Sequence, residues 1–378
     1  MNVTDYKMMG VIFSNMHDDS MGDLTELRTV GSIPYGGRYR LIDFTLSNMV
    51  NSGITDVGVI TKLNYQSLLD HLGAGRAWDL SRKRGGLVIL PPFSRTVAGG
   101  AAGIYRGSIE ALAGRLDYLR SVDARYVCLS DCDVITNLDF KDVLARHVET
   151  GADITVLYAN MEMRPASRDL AALETGPDSR VLDVTLNPRE GGSMKVYLNM
   201  VVLNRELLIK LVESCYTHGE YSFTQDVLQK RLRDFHICGY EVRDFCVRVS
   251  DMQSYFAANM ALLNPEARAQ LFPPERPVFT KVRDEVPAKY GLKAQVENSL
   301  VADGCVIDGR VENSVVGRGV RIGRGAVVKN SILMQGTIVG EGADLNYVVT
   351  DKNVVVRTGR ALCGYTTIPV YLQKGFSV

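Results

Sequence analysis

The segment LSDCDVI places two carboxylates, Asp131 and Asp133, at the end of an apolar run that is typical of a buried strand. Carboxylate oxygens are the ligands that Mg²⁺ prefers, so the pair is a candidate site for a divalent cation. The same side chains could instead cap the turn that follows the strand. The residues alone leave both interpretations open.

A second polar segment, SNMHDDSM, follows the apolar run MMGVIF near the start of the chain. A loop that holds nucleotide phosphates is normally rich in glycine, because glycine lets several backbone N–H groups turn toward the anion. This loop carries Asp18 and Asp19 instead. A carboxylate about 4 Å from a phosphate charge costs on the order of 4 kcal/mol at an effective dielectric of about 20. We therefore expect the loop not to receive a nucleoside triphosphate.

The composition argues against several classes of protein. The 378 residues carry 43 Lys and Arg against 43 Asp and Glu, so no basic surplus points to nucleic acid or to an anionic membrane. We expect no membrane span and no export signal, because no apolar run of the required length is found. The seven cysteines form no close CxxC pair, so we expect reduced thiols in a cytoplasmic protein.

The elements that must position the acidic segments are strands and helices in alternation over residues 1–261. This alternation predicts a mostly parallel sheet covered on both faces, whose ligands bind beyond the carboxyl ends of the strands. The predicted strands are MMGVIF, DVGVITK, GGLVILP, RYVCLSD, DITVLYA and KVYLNMVVL. The clearest predicted helices are SIEALAGRLDYLRS and DVLARHVET.

The character of the chain changes after residue 261. Residues 262–292 hold five of the twelve prolines and predict a connector, since proline fixes φ and lacks an N–H donor. In residues 293–378, aliphatic residues recur every six positions among glycines and small residues. This period predicts a parallel β-helix whose flat sides take about six residues each, with the aliphatic side chains stacked inside. The clearest such positions are Val316, Ile322, Val328 and Met334.

Four segments together resemble the ADP-glucose pyrophosphorylase (glucose-1-phosphate adenylyltransferase) family of sugar nucleotidyltransferases. They are PYGGRYRLIDFTLSNMVNSGI (34–54), NYQSLLDHLGAGRAWDL (64–80), SYFAANMALL (254–263) and the repeat region 311–356. The resemblance covers essentially the whole chain. It implies an α/β fold, with a Rossmann-like nucleotidyltransferase domain followed by a left-handed parallel β-helix of hexapeptide repeats. It also implies a place in bacterial glycogen synthesis, where the family makes ADP-glucose from ATP and glucose 1-phosphate with Mg²⁺.

The positions that the resemblance assigns to the family's catalytic and substrate-binding residues are changed in this sequence. The changed positions are Asn15, Met16 and Asp18 for three loop glycines, Ser20 for the loop arginine, Ala102 for an acid near the base and sugar, and Asn187 for the sugar-phosphate lysine. Nucleotidyl transfer depends on positioning and neutralising phosphates, so these changes imply a catalytic site that is no longer intact.

The family's two metal-binding aspartates are also affected. One of them falls at Cys132 or, after a one-residue shift, at Asp133, and the other falls at Arg248. A site of two carboxylates cannot form with an arginine as one ligand. We therefore expect no cofactor in this chain, with Asp131 and Asp133 as weak metal candidates and Mg²⁺ in a catalytic partner.

The family's effector site lies near the junction of its two domains. The resemblance carries Arg28, Arg38 and Arg40 over as an anion site for a phosphorylated effector, since arginine forks suit phosphate. Arg318 and Arg324, on the predicted β-helix, are interpreted as solvated surface charges.

The family includes a second, D-type (GlgD-like) chain in Gram-positive bacteria, which pairs with a catalytic chain. The resemblance to it implies a catalytically deficient regulatory subunit, in a heterotetramer with a catalytic glucose-1-phosphate adenylyltransferase subunit or self-associated, without nucleic-acid or membrane partners. Two alternatives remain open. One is an active sugar-phosphate nucleotidyltransferase that uses Asp131 and Asp133 for Mg²⁺, and the other is a non-catalytic sensor of sugar phosphate or nucleotide.

Overall fold

The computed structural model describes residues 7–14, 16, 18–92, 105–164 and 169–378, with the backbone alone described at 18–20. The strands before the connector are β1 (Met8–Phe13), β2 (Pro34–Tyr35), β3 (Tyr39–Arg40), β4 (Asp56–Ile60), β5 (Gly86–Leu90), β6 (Tyr126–Asp131), β7 (Val134–Thr136), β8 (Ile154–Met163), β9 (Ala171–Thr175), β10 (Val181–Leu186), β11 (Gly192–Asn204), β12 (Ile237–Glu241) and β13 (Cys246–Arg248).

The α-helices are α1 (Leu41–Asn51), α2 (Gln66–Leu72), α3 (Ser108–Ala113), α4 (Leu116–Ser121), α5 (Phe140–Thr150), α6 (Arg205–Thr217), α7 (Met252–Ala261) and α8 (Pro265–Leu271). Short 3₁₀ helices span Asp18–Leu24, Val30–Ser32 and Arg76–Trp78, and a π-helix spans Phe223–Gln229. The stretch predicted as one helix, SIEALAGRLDYLRS, is divided between α3 and α4 at Gly114, where an interior glycine costs about 1 kcal/mol relative to alanine.

Nine strands of the described residues form one sheet in the order β10-β9-β11-β6-β1-β4-β5, with β8 beside β11 and β12 beside β8. Strands β6, β1, β4 and β5 run parallel, and β11 runs antiparallel to β6. The predicted parallel part is confirmed, and antiparallel strands extend it. Phe13 pairs with Asp131, so the segments that follow β1 and β6 leave the sheet side by side.

The β-helix is built from fifteen short strands of the described residues. They are β14 (Lys289–Tyr290), β15 (Gln295–Glu297), β16 (Leu300–Val301), β17 (Val306–Ile307), β18 (Arg310–Glu312), β19 (Val315–Val316), β20 (Arg321–Ile322), β21 (Val327–Lys329), β22 (Ile332–Leu333), β23 (Ile338–Val339), β24 (Asp344–Asn346), β25 (Val348–Thr350), β26 (Val355–Val356), β27 (Ala361–Cys363) and β28 (Val370–Leu372). They form three five-stranded sheets in which every pairing is parallel.

The coils of the β-helix are shorter than three sides of six residues. Lys289 pairs with Val306, Val306 with Arg321, and Arg321 with Ile338, so one coil takes 15 to 17 residues. The predicted inward position of Met334 is therefore wrong. Leu333 points into the β-helix core in its place, whereas Met334 belongs to a core shared with the first domain.

The two domains are joined by that shared apolar core. It combines Tyr35, Phe44, Tyr255 and Phe256 of the first domain with Ile332 and other residues of the β-helix. The connector also contains structure, since α8 begins at Pro265, a position where a missing N–H costs nothing. The first β-helix strand begins at Lys289 rather than at 293, because Lys289 and Tyr290 already pair with the next coil.

Candidate functional site

Asp133 and Arg248, which the resemblance assigned to the metal positions, contact each other. Arg248 ends β13 and pairs with Val134 at the start of β7, so the strand register places it beside Asp133. Arg248 Nε donates to Asp133 Oδ2 at 2.7 Å, and the two side chains are only 4% and 3% exposed. Arg248 Nη2 also donates to the main-chain oxygen of Asp169 at 2.6 Å.

Cys132 and Asp133, the two alternatives for one of the family's metal positions, differ in their surroundings. The Asp133 carboxylate faces Arg248, whereas Cys132 is buried in the core that contains Ile42. Asp133 Oδ2 is thus paired with Arg248, whereas Oδ1 is buried with no hydrogen-bond partner among the described residues. A Mg²⁺ ion needs several oxygen ligands and would meet a guanidinium here. In the described part of the chain, no group of three or more His, Cys, Asp or Glu side chains is arranged to hold a metal ion.

Asp131, the other weak metal candidate, is buried at the end of β6. Its main-chain oxygen accepts hydrogen bonds from Ser130 Oγ at 2.9 Å and from Thr45 Oγ1 at 3.3 Å. These contacts fix the backbone between β6 and the Asp133–Arg248 pair.

The segment after β1 is partly described. Met16 packs against the apolar core on one face of the sheet, and the backbone from Asp18 to Leu24 forms a 3₁₀ helix. The side chains of Asp18 and Ser20 are not described, and Asn15 and Ala102 lie outside the described residues. At Met16, where the resemblance implies a glycine, a partly buried side chain therefore packs against the core.

Asn187, which the resemblance places at the family's sugar-phosphate lysine, forms hydrogen bonds with the backbone. Its φ of +47° is in the left-handed region, which asparagine tolerates better than most residues. Its N–H donates to the Leu170 carbonyl at 2.9 Å, and its Oδ1 accepts from the Leu170 N–H at 3.3 Å. Asn187, which follows β10, thus pairs with Leu170, which precedes β9, and extends the pairing of the two strands.

A pocket lined by basic side chains lies between the first domain and the β-helix. Its cavity volume is about 50 Å³. Its basic lining residues are Arg38, Arg40, Arg283, Arg318 and Lys352. They come from the β2–β3 turn, the start of α1, the connector and two coils of the β-helix.

Burial and mutual repulsion disfavour the charges in this pocket. Burial, together with Arg40 and Arg28, lowers the pKa of Lys352 to about 7. Burial also lowers the pKa of Arg40, to about 10. The pKa of Arg318 is lowered by burial and by the neighbouring Arg38, and its Nε is buried with no hydrogen-bond partner. Asp43 acts against this shift at Arg40, and Asp303 and Glu285 act against it at Arg318, but burial is the largest cause in both cases. Buried cations of this kind favour a bound anion.

Arg28 lies behind the pocket rather than in its lining. Its Nη2 donates to both carboxylate oxygens of Asp351, at 2.8 and 2.6 Å, and both side chains are 3% exposed. Tyr371 also donates to Asp351, at 2.8 Å. Arg28 therefore connects the segment after the 3₁₀ helix to the β-helix through Nη2, whereas its Nη1 is buried with no hydrogen-bond partner among the described residues.

The lining of this pocket differs from the set of arginines that the resemblance implies for an anion site. Arg38 and Arg40 line the pocket, and Arg38 also lies 5.5 Å from the centre of the Tyr39 ring. Arg318, interpreted from sequence as a surface charge, is only 7% exposed and lines the same pocket. Sequence reasoning missed Arg283 and Lys352. The second of these follows Asp351 in the family-like stretch TDKN, which was the available signal.

A buried carboxylate orders one wall of the pocket. Asp43, which is fully buried, accepts from the Arg40 N–H at 2.9 Å through Oδ2 and contacts His71 Nε2 at 2.5 Å through Oδ1. Arg40 Nη1 donates to Ser67, at the start of α2. The PYGGRYRLID segment and helix α2 are thereby held in one arrangement.

Glycine in the same segment allows the β-helix to approach. Gly36 and Gly37 have φ values of +59° and +78°, and a Cβ on Gly37 would lie 3.0 Å from the Val316 carbonyl oxygen. A side chain there would therefore push the pocket walls apart.

The comparisons with known proteins agree with this arrangement of domains. Residues 21–260 match the nucleotidyl transferase family, and residues 285–366 match the GlmU-like C-terminal hexapeptide family. The fold and site thus define a nucleotidyltransferase domain joined to a hexapeptide-repeat domain. None of the helices that the structure describes is both long and apolar enough to cross a membrane.

Full-length relatives define the group more closely. The glycogen biosynthesis protein GlgD of Bacillus subtilis (strain 168) is 36% identical over 98% of this chain and 96% of its own length. GlgD of Geobacillus stearothermophilus is 38% identical over 85% and 83%. The glucose-1-phosphate adenylyltransferase of Pseudothermotoga lettingae is 34% identical over 85% and 76%. The chain belongs to the nucleotidyltransferase family of GlgD proteins and glucose-1-phosphate adenylyltransferases.

Proposed function

We propose that this chain is a catalytically deficient, regulatory subunit of a glucose-1-phosphate adenylyltransferase in glycogen biosynthesis. A catalytic partner of the same family carries the Mg²⁺ and converts ATP and glucose 1-phosphate to ADP-glucose and diphosphate. The similarity to proteins named for glycogen biosynthesis and for this activity supports the reaction and the pathway. Conservation of the two-domain fold with a changed site supports the regulatory role.

The observation that carries the proposal is the buried Asp133–Arg248 ion pair. An arginine that is fixed by Asp133 and Asp169 already supplies a positive charge where the family's metal would sit. The alternative of an active transferase that uses Asp131 and Asp133 for Mg²⁺ requires Asp133 to leave Arg248. Removing one member of a buried pair typically costs about 3–5 kcal/mol.

The basic pocket at the domain junction supports a role in the effector response. A phosphorylated effector would place a phosphoryl group among Arg38, Arg40, Arg318 and Lys352. Residues of both domains line the pocket, so a bound effector would change how strongly the two domains are held together. A subunit can alter its partner only if it interacts differently with two states of the assembly.

The experiment that tests the proposal is an ADP-glucose synthesis assay with three samples. They are this chain alone, a catalytic glucose-1-phosphate adenylyltransferase from the same genome alone, and the two co-expressed. We expect no turnover from this chain and a higher rate, or a changed effector response, from the mixture. ADP-glucose synthesis by this chain alone would favour the active-transferase alternative. A co-expressed sample with the same rate and effector response as the catalytic partner alone would contradict the regulatory proposal.

A restoration variant tests whether the site is broadly altered. We predict that Asn187→Lys will not produce ADP-glucose synthesis, because catalytic groups act as a unit and Arg248 still occupies the metal position. The lysine would also lose the side-chain hydrogen bond to Leu170 and favour its φ of +47° less. Measurable turnover from this single change would show that the other catalytic groups are still in place, and it would contradict the proposed catalytic deficiency.

A further inference from the structure

A second cavity lies where the parallel strands β1, β4 and β5 begin, at the opposite edge of the sheet from Asp131 and Asp133. Its volume is about 980 Å³, near the upper end of the range of about 300–1,000 Å³ that is usual for ligand sites. Helix α4 and the first turns of α5 complete its walls. In the part of the chain that the structure describes, none of the positions that the resemblance assigns to catalysis or to an effector lines this cavity.

The charges around this cavity balance. Its lining contains three cationic side chains and three carboxylates, namely Lys7, Arg84, Lys141, Asp56, Asp123 and Asp142. Lys7 Nζ lies 3.0 Å from Asp123 Oδ2, and the side chains of Arg84, Lys141 and Asp142 are exposed. A lining without net charge does not select an ion of either sign. It places N–H donors beside carboxylate acceptors, and sugar hydroxyl groups, which both donate and accept, can use the two together.

Apolar side chains contribute much of the remaining lining. They include Met8, Ile54, Val88, Val122 and Leu144. Val88 is 38% exposed, although it lies within strand β5 of the main sheet. Apolar surface of this kind suits the C–H faces of sugar rings, whose hydroxyl groups project from the ring edge.

Tyr118 adds an aromatic ring and an unpartnered hydroxyl group to the lining. A Cβ on Gly58 of β4 would lie 2.5 Å from Tyr118 Cε1, so the ring can lie against this strand only because residue 58 is a glycine. The Tyr118 hydroxyl is buried and has no hydrogen-bond partner among the described residues. A buried hydroxyl without a partner favours an occupant that forms a hydrogen bond with it, and a sugar hydroxyl is such a group.

We propose that this cavity binds an uncharged oligosaccharide, namely a chain of α-linked glucose units. The balanced charge, the mixture of donors, acceptors and apolar side chains, and the volume all favour an oligosaccharide. The choice of α-linked glucose rests on the proposed function, because a subunit in glycogen biosynthesis works beside such chains. The site would hold the subunit close to the polymer.

Isothermal titration calorimetry of the full chain with maltotriose tests the proposal, and cellotriose, its β-linked counterpart, is the comparison ligand. We expect maltotriose to bind at least about fivefold more tightly than cellotriose. Its dissociation constant should change by less than about twofold between about 0.05 M and about 0.5 M NaCl, because salt screens only interactions between charges. Equal binding of the two sugars, or no binding of maltotriose, would overturn the assignment to α-linked glucose.

Variants in the lining place the binding in this cavity. Val88→Arg puts a long charged side chain into the cavity and should weaken maltotriose binding by about tenfold or more. Leu182→Arg, at an exposed apolar residue of β10 outside the lining, is the matched control and should bind like the unmodified chain. Tyr118→Phe should weaken binding by about threefold or more without lowering the melting temperature, because its hydroxyl has no partner among the described residues. Unchanged binding in both cavity variants, or in Tyr118→Phe where Val88→Arg does not fold, would overturn this location.

This inference and the proposed function fail in different ways. The titration uses this chain alone, so a failure to bind maltotriose leaves the regulatory role untouched. A co-expressed sample that behaves like the catalytic partner alone contradicts the regulatory role, whereas maltotriose binding that is lost in Val88→Arg would still establish the cavity as a sugar site.

Discussion

A buried arginine beside a buried carboxylate changes what each residue can do for the protein. Arg248 neutralises Asp133 without any dependence on free Mg²⁺, and it adds a hydrogen bond to the Asp169 carbonyl. The Asp133 carboxylate is thereby neutralised by a group that is covalently part of the chain.

Removing one member of the buried Asp133–Arg248 pair should lower the free energy of unfolding more than removing both. We expect Arg248→Met to lower the free energy of unfolding by about 3 kcal/mol or more, because it leaves Asp133 buried without a counter-charge. The double variant Arg248→Met/Asp133→Asn should recover much of that loss. Urea denaturation measures both, and Arg82→Met, at an exposed pair with Asp79, is the control expected to change stability by less than about 1 kcal/mol. Equal losses in the single and double variants would contradict this interpretation.

A second buried group makes the stability depend on pH. His147 is 4% exposed, its Nδ1 lies 2.8 Å from Thr155 Oγ1, and burial lowers its pKa to about 4. Since the folded pKa lies below the unfolded value of about 6.5, its contribution is complete above about pH 6.5 and is lost as the pH falls toward 4.

The expected loss of stability on protonation of His147 follows from the difference between its folded and unfolded pKa values. Protonation should remove roughly 3 kcal/mol of stability between about pH 6.5 and about pH 4. The variant His147→Gln should therefore lose less stability than the unmodified chain over this range, when both are measured by denaturation at each pH. Parallel pH profiles for the two proteins would rule out His147 as the source.

The β2–β3 turn is the element that brings the arginines of the first domain to the β-helix. We expect Gly37→Ala to destabilise the protein by about 1–3 kcal/mol and to weaken anion binding, because its Cβ would crowd the Val316 carbonyl and φ is +78°. Gly342→Ala is the matched control, with φ of +63° and open space around its Cβ. Both should show the cost of backbone strain, and only Gly37→Ala should change the affinity for sulfate.

How far the sequence predicts the structure can be seen element by element. Continuous apolar runs identified β1 and β6, because strands that are buried on both faces need apolar side chains throughout. The six-residue period identified the β-helix but misplaced Met334, since coils of 15 to 17 residues shift the inward position. Sequence spacing cannot reveal such shortened corners, because the corner residues carry no regular apolar signal.

The candidate site was harder to predict than the fold. The altered metal positions were visible in the sequence, but the contact between Asp133 and Arg248 spans 115 residues and depends on the β7–β13 register. The pocket likewise needed Arg283 and Lys352, which are separated from Arg40 by more than two hundred residues. Only the packing of the two domains brings these charges together, so no local motif could indicate them.

The chain should unfold as one unit because its domains share a core. Met334, which is 3% exposed, lies in the cluster that includes Phe256 and Tyr35, and the Arg28–Asp351 pair joins the same two domains nearby. Each domain also has an apolar core of its own. The shared core is therefore what couples two parts that could otherwise unfold separately.

Calorimetry of variants in one coil tests this coupling. We predict a single unfolding transition for the unmodified chain and two transitions for Met334→Asp, because an unpaired charge in the shared core separates the domains without entering the core of either one. Ile338→Asp is the matched control on a different side of the β-helix, where the side chain is 43% exposed, and it should retain one transition. A single transition near the original midpoint in Met334→Asp would show that the domains are coupled by something other than this core. Sulfate should raise the midpoint of the single transition and have little effect on the separated domains, since its ligands come from both.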